Sequence, residues 1–200
     1  MSAQFFPEVT KAWQEAAVDG DEIPFQKLLQ AGSKFVPVFD RLGTVFTPVK
    51  ADINGNLTKM TKCFEKAPAD TIHKALVAEK AAGKTKDKDA LCLSLLWFKR
   101  AMQFIFALMK KVAAGTEANA AAKEAYEETL SAYHGFMVKK TFQMGLMAAP
   151  GTDNLLKGLG SDAALTKTEM GEWVAAAEPI LANIHAFLEK EGLDDKVKAY

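Results

Sequence analysis

The chain has 200 residues, 49% of them hydrophobic, and its 25 basic side chains balance 25 acidic ones. That is enough for one domain with a sizeable core, and the net charge of zero shows no basic footprint of the kind general nucleic-acid binding needs. Two cysteines, Cys63 and Cys92, do not make a disulfide scaffold.

In chain order, "MSAQFFPEVT" has neither a cationic stretch nor an apolar run, so no secretory signal is read. "EIPFQKLLQAGSKFVPVFDRLG" reads as helix, with Pro24 near its start and a stop at Pro37 or Gly43. Thr47 is a good N-cap and Pro48 a good first position for a helix over 48 to about 66. A small helix over 70–82 precedes the polar break "AAGKTKDKDA". "LCLSLLWFKRAMQFIFALMKKVAAG" is apolar on most sides and belongs at the centre of a helical packing, ending at Gly115. Its longest unbroken apolar stretch reads as short, since "LLWF" meets Lys99 and Arg100, so no membrane span of ~18 residues is expected. "EANAAAKEAYEETLSAYHGFMVKKTFQMGLMAAP" reads as one long helix stopping before Pro150, and "TDNLLKGLG" as a short one capped by Thr152 or Asp153. The last helix carries a capping box at Thr166 and Glu169, a staple of Leu165 with Met170, and a kink at Pro179. The expected fold is all-α: about eight helices in one domain over 1–200, with its core over about 22–192. A cytosolic protein is expected, in which the sequon Asn56-Leu57-Thr58 is never glycosylated.

One helix is odd. "KADINGNLTKM" places Asn54, Gly55 and Asn56 in succession, each costing roughly 0.5–1 kcal/mol relative to alanine in a helix. At about 100° per residue, Asn56 lies about +40° and Lys59 about −20° from Asp52, so the three share a face. Ile53, Leu57, Met60 and Phe64 form an apolar stripe about 100° away. Local conflicts of this kind mark functional sites, or else a frayed helix start or a solvated face. A calcium loop beginning at Asp52 fails, because Leu57 and Cys63 stand where Gly and Glu are required. A carboxylate, an amide and an ammonium together suit a ligand with several hydroxyls, such as a sugar; a phosphate prefers more cations and no carboxylate.

In the central helix Trp97, Phe104 and Leu108 share a face that runs from indole to hydrocarbon. An indole packs against the apolar face of a sugar ring and keeps an N–H donor at its edge, and it serves equally as a core residue. His134, in "AYHGFMVKK", reads as a satisfied core or half-exposed histidine. His73, His134 and His185 lie in separate helices without cysteine partners, so no metal and no cofactor is expected. No nucleophile elbow, phosphate loop or zinc-peptidase motif is present, and catalysis has little support.

"VFTPVKADINGNLTKM", "LLWFKRAMQFI" and "AYEETLSAYHGFMVKKTFQMGLMAAP", in that order, resemble the glycolipid transfer protein family. Within it the chain looks most similar to the fungal members associated with heterokaryon incompatibility. The resemblance implies a two-layer all-α sandwich that binds one glycosphingolipid and moves it between membranes without vesicles. By that resemblance Asp52 meets sugar hydroxyls and the ceramide amide, Asn56 and Lys59 hold the sugar, Trp97 stacks on the first ring, and His134 donates to the amide carbonyl. Tyr200 would cover the headgroup. Phe39, Val45, Phe46, Phe104 and Leu108 align with the lipid pocket and would also pass as ordinary core. Phe136, with Lys139 and Lys140 beside it, stands where animal members dock on membranes through tryptophan. Trp97 and Asn56 favour neutral sugars over phosphate, while Arg100 keeps some capacity for an anionic group. The partners implied are a glycosphingolipid and, transiently, a membrane surface, with the protein acting as a monomer and not as an enzyme. The rival functions are a glycolipid sensor acting through a protein partner, a glycolipid hydrolase using Asp52 and His134, and a ligand-free structural protein.

Overall fold

The structure is a computed structural model, and it describes residues 4–17 and 22–196. Ten α-helices follow in order among the described residues: α1 (Phe6–Ala16), α2 (Phe25–Phe35), α3 (Val38–Leu42), α4 (Thr47–Lys66), α5 (Ile72–Ala81), α6 (Leu91–Ala113), α7 (Ala118–Glu128), α8 (Phe136–Leu146), α9 (Thr152–Leu159) and α10 (Ala163–Lys190). Two short 3-10 helices, Thr44–Phe46 and Leu130–Tyr133, lead into α4 and away from α7.

The all-α, two-layer expectation holds. The central α6 packs against α4, α7 and α10, while α1 lies between α10 and α2. Contrary to the sequence reading, α6 is long and apolar enough to cross a membrane by length and composition, yet 72% of the relevant stretch is buried against its neighbours. A helix at the centre of a helical packing must be apolar all round, and that satisfies the same test.

Several boundaries differ from expectation, for local reasons. The core begins before residue 22, because Phe6, Trp13 and Ala16 of α1 are fully buried and Trp13 meets Trp173 edge-on at 5.8 Å. The expected stops at Pro37 and Gly43 both operate, so two helices replace one, and Gly43 supplies a positive φ of 101°. Thr47 is the first residue of α4 and makes no side-chain cap. Thr152 likewise opens α9 as its first residue, and its hydroxyl accepts from Ala118 N at 2.8 Å, tying the start of α7 instead. The last helix starts earlier than the capping box proposed. Asp162 caps it by accepting from Leu165 N at 2.9 Å, and Thr166 lies inside, donating to Asp162 O. The helix runs on through Pro179, which stands on an exposed position.

The long helix expected over 117–149 is broken. Chain leaves α7 through the 3-10 turn, and His134 and Gly135 adopt extended backbone before α8 begins. This break takes His134 off any helical face.

Candidate functional site

The odd helix is real: α4 continues without interruption through Asn54, Gly55 and Asn56. Ile53, Leu57 and Met60 are buried and seat it on the core. The neighbouring face holds Asp52, exposed, Asn56, buried, and Lys59, half-buried. Asn56 Nδ2 donates to the Asp52 carbonyl oxygen at 3.0 Å. Lys59 Nζ lies 3.5 Å from the Asp89 carboxylate and donates to Lys88 O at 3.5 Å. Desolvation by the surrounding protein raises the Asp52 carboxyl above its ordinary range, against the pull of the Asn56 hydrogen bond and the Lys59 charge. A Cβ at Gly55 would meet no atom within 4 Å, so no protein neighbour requires the glycine and the face there is open.

The second wall is α6, against which α4 packs. Trp97 is half-buried. The Arg100 guanidinium lies 5.0 Å from the Trp97 ring centre and 3.6 Å from that of Tyr133. It donates to Asp195 O and sits 3.6 Å from the Asp194 carboxylate. Lys99 Nζ lies 3.1 Å from Asp194 Oδ1 and 3.1 Å from His185 Nδ1. Both cations are buried to 1% exposure. Arg100 is therefore engaged by aromatic rings and the segment after α10, which corrects the expectation that it is available to an anionic group. The signal for this cluster was present, since Lys99 and Arg100 interrupt an apolar helix and buried charges need partners. Its carboxylate, 95 residues away, could not be located from spacing.

His134 is buried, with Nδ1 3.0 Å from the Tyr126 hydroxyl. Burial raises the Tyr126 phenol to about 12, so it stays protonated. Among the described residues its proton has no other acceptor, so it donates to Nδ1 and leaves Nε2–H as the free donor of the imidazole. Burial, and then the Lys139 charge, lower the His134 pKa and favour this neutral form. Phe142 stacks on Tyr126 at 4.6 Å and meets Phe104 edge-on at 5.5 Å, joining His134 to α6. Sequence reasoning missed Phe142, because the assumed continuous helix hid its facing.

Phe39, Phe46, Phe104 and Leu108 are closed into the core. Val45 is half-buried, its Cγ2 3.4 Å from where a Cβ on Gly145 would stand. A separate cleft of about 650 Å³ lies between the end of α4, α5 and the loop entering α6. α8 and the residue after it present Phe136, Met137, Met144 and Met147 at 64–84% exposure, with Lys140 exposed and Lys139 half-buried among them. Tyr200 lies outside the described residues.

Each histidine has a protein partner among the described residues. His73 accepts from Ile23 N at 3.2 Å and reaches Asn183 at 2.8 Å, as a satisfied core residue. His185, Glu189 and Asp194 bring ligand atoms within 4.8 Å of one another. The Lys99 ammonium already sits against two of the three, and a second cation there would be repelled.

The sequence signature of the glycolipid transfer proteins matches residues 23–161. The glycolipid transfer protein of Aureobasidium melanogenum is 30% identical over 188 residues, covering 92% of each chain. The chain belongs to the glycolipid transfer protein family. The zebrafish (Danio rerio) glycolipid transfer protein is 36% identical over 149 residues, 69% of this chain and 71% of that protein. Among solved structures, the GLTP-fold described for FAPP2, reported to select simple glycosphingolipids, superposes with TM-score 0.89 at 26% identity. It covers 98% of this chain and 100% of that one. The fungal glycolipid transfer protein HET-C2 superposes with TM-score 0.83 at 26% identity, covering 92% of this chain and 96% of that one. Mouse ceramide-1-phosphate transfer protein shares the fold with TM-score 0.87 at 18% identity, over 96% of this chain and 99% of that one. Membership places the chain among non-catalytic lipid carriers, so the hydrolase reading falls away.

Proposed function

We propose that this protein binds one glycosphingolipid with a neutral sugar, such as galactosyl-, glucosyl- or lactosylceramide, and carries it between membranes without vesicles. The observation that carries this reading is the polar face of α4, with Asp52 exposed beside Asn56 and Lys59, on a helix packed against the one that bears Trp97. In this reading Asp52, Asn56 and Lys59 hold sugar hydroxyls and Trp97 stacks on the first ring. His134 offers Nε2–H to the ceramide carbonyl, and Asp52 accepts from the ceramide N–H. Phe39, Val45, Phe46, Phe104 and Leu108 part to admit the chains, whose transit through water would otherwise cost about 0.8 kcal/mol per CH₂. Similarity to the HET-C2 protein supports a fungal, heterokaryon-incompatibility type of family member. The carrier works as a cytosolic monomer within one domain over 1–200, touching membranes only at its periphery.

Phe136, Lys139 and Lys140 make the docking contact. Phe136→Ala is expected to weaken binding to phosphatidylcholine vesicles about tenfold, or about 1.4 kcal/mol, as read by co-sedimentation. Unchanged sedimentation would remove Phe136 from the contact.

The deciding experiment is transfer of fluorescent galactosylceramide between vesicles, with ceramide-1-phosphate and phosphatidylcholine as controls. Selective galactosylceramide transfer is expected. Preference for the phosphate lipid would overturn the headgroup assignment, and transfer of none would overturn the carrier function.

A further inference from the structure

The polar face of α4 does not end at Lys59. Asp52, Asn56, Lys59 and Cys63 follow at spacings of four, three and four, so they line one face over roughly 16 Å of helix. Cys63 already lines the 650 Å³ cleft, as do Lys88 and Asp89, the two residues that Lys59 touches. The cleft is thus the next compartment along the same face, beyond the position given to the first sugar. It is open on one side, and alanines of α5 and of the segments flanking it, among them Ala67, Ala75, Ala78 and Ala90, form much of its wall.

Its charges are unevenly engaged. The Glu79 carboxylate is consumed by the start of α6, accepting from Leu91 N at 2.7 Å and Cys92 N at 2.8 Å. Asp89 is paired with Lys59. Lys66, Lys84 and Lys88 stand exposed on the lining, and among the described residues their ammonium groups have no ion-pair partner. Asp87 offsets one of them.

We infer that this cleft is a second headgroup subsite, which takes the outer sugars of an oligosaccharide on ceramide and prefers an acidic substituent on them. The inference rests on the glycolipid reading above and extends it from one sugar ring to several. Small side chains leave room for rings and present apolar faces to them. The lysines supply a cationic rim for a carboxylate, beside Cys63 at the far end of the α4 polar face.

The test compares binding of three lipids in vesicles: galactosylceramide, a neutral four-sugar ceramide, and a monosialylated four-sugar ceramide. Ala78→Trp, on the α5 wall, fills the cleft. It is expected to weaken both four-sugar lipids about tenfold and to change galactosylceramide by less than about twofold. Lys66→Ala/Lys84→Ala/Lys88→Ala is expected to weaken the sialylated lipid about tenfold more than the neutral one. Equal effects on all three lipids, or no effect, would overturn the subsite. Should Ala78→Trp fail to fold, the triple variant decides alone, since its three side chains are exposed. Failure of the wild type to bind galactosylceramide is a separate result that removes the glycolipid reading, and the subsite with it.

Discussion

Trp97→Ala is expected to cut galactosylceramide transfer by about 10- to 100-fold while leaving the helical fold in place. The side chain is half-buried and packs on Arg100 rather than in the closed core, so its loss removes a ligand-facing surface more than a packing element. Asp52→Val should lose as much by a different route. A charged acceptor contributes about 1.5–3 kcal/mol through its hydrogen bonds, and valine offers none. Asp52 is exposed on a continuous helix, so this variant should fold as the wild type does. The two losses are separable by spectroscopy. The chain has three tryptophans, and Trp13 and Trp173 are fully buried in the α1–α10 packing. A change in indole emission on adding glycolipid should therefore come from Trp97, and should vanish in Trp97→Ala while persisting, at higher lipid concentration, in Asp52→Val. The desolvated Asp52 carboxyl also titrates above its ordinary value, so acid that protonates it should weaken binding in the wild type. Transfer at wild-type rate by either variant would sink the sugar clasp.

What the sequence disclosed follows from the range of each signal. Helical periodicity is local, so α4 and α6 were legible almost to the residue, as was the shared face of Asp52, Asn56 and Lys59. The conflict at Gly55 was legible too, and the structure sharpens it: no protein atom approaches closely enough to require glycine. Caps were read less well, because Thr47, Thr152 and Thr166 are all plausible cap residues, yet Thr47 and Thr152 open their helices without capping them and Thr166 lies inside a helix capped by Asp162. Thr152 serves α7 and not its own helix. The break between α7 and α8 left little trace, since "LSAYHG" contains no proline and only one glycine. With the break went the facing of Phe142 and the pairing of His134 with Tyr126. The long-range charge cluster was legible only by half. Two cations inside an apolar helix announce a buried partner, but nothing local says that Asp194 supplies it.

That cluster carries the largest stability effect expected in the molecule. Asp194 is 5% exposed and stands between two cations that are 1% exposed, with Lys196 approaching at 3.4 Å from outside. Asp194→Asn keeps the volume and deletes the charge. Lys99 and Arg100 would then be buried without a carboxylate, and removing one partner of a buried pair costs about 3–5 kcal/mol. For a domain of this size each kcal/mol is worth about 2–4 °C, so the melting temperature should fall by roughly 6–20 °C. The pH dependence identifies the cause. Burial by itself would raise the Asp194 carboxyl, but the hydrogen bond and charge of Lys99, with Lys196 and Arg100, outweigh it and hold the group below its ordinary value of 3.8. The stabilisation is therefore complete above that value and is lost as pH falls through the depressed folded value. Wild-type stability should drop along this acid limb, and in Asp194→Asn the drop should be shallower because the group is gone. Asp52 and Glu169, both raised by burial, slope the opposite way and remain in the variant, so they do not mimic the change. Pairing Asp194→Leu with Lys99→Met should recover part of the loss, since apolar residues of similar size replace buried ion pairs at little net cost. Arg100 would still lack its carboxylate, so recovery should be incomplete. A melting temperature within about 2 °C of wild type for Asp194→Asn, less than 1 kcal/mol at this size, would show that the aromatic rings and the Asp195 carbonyl hold the cations unaided.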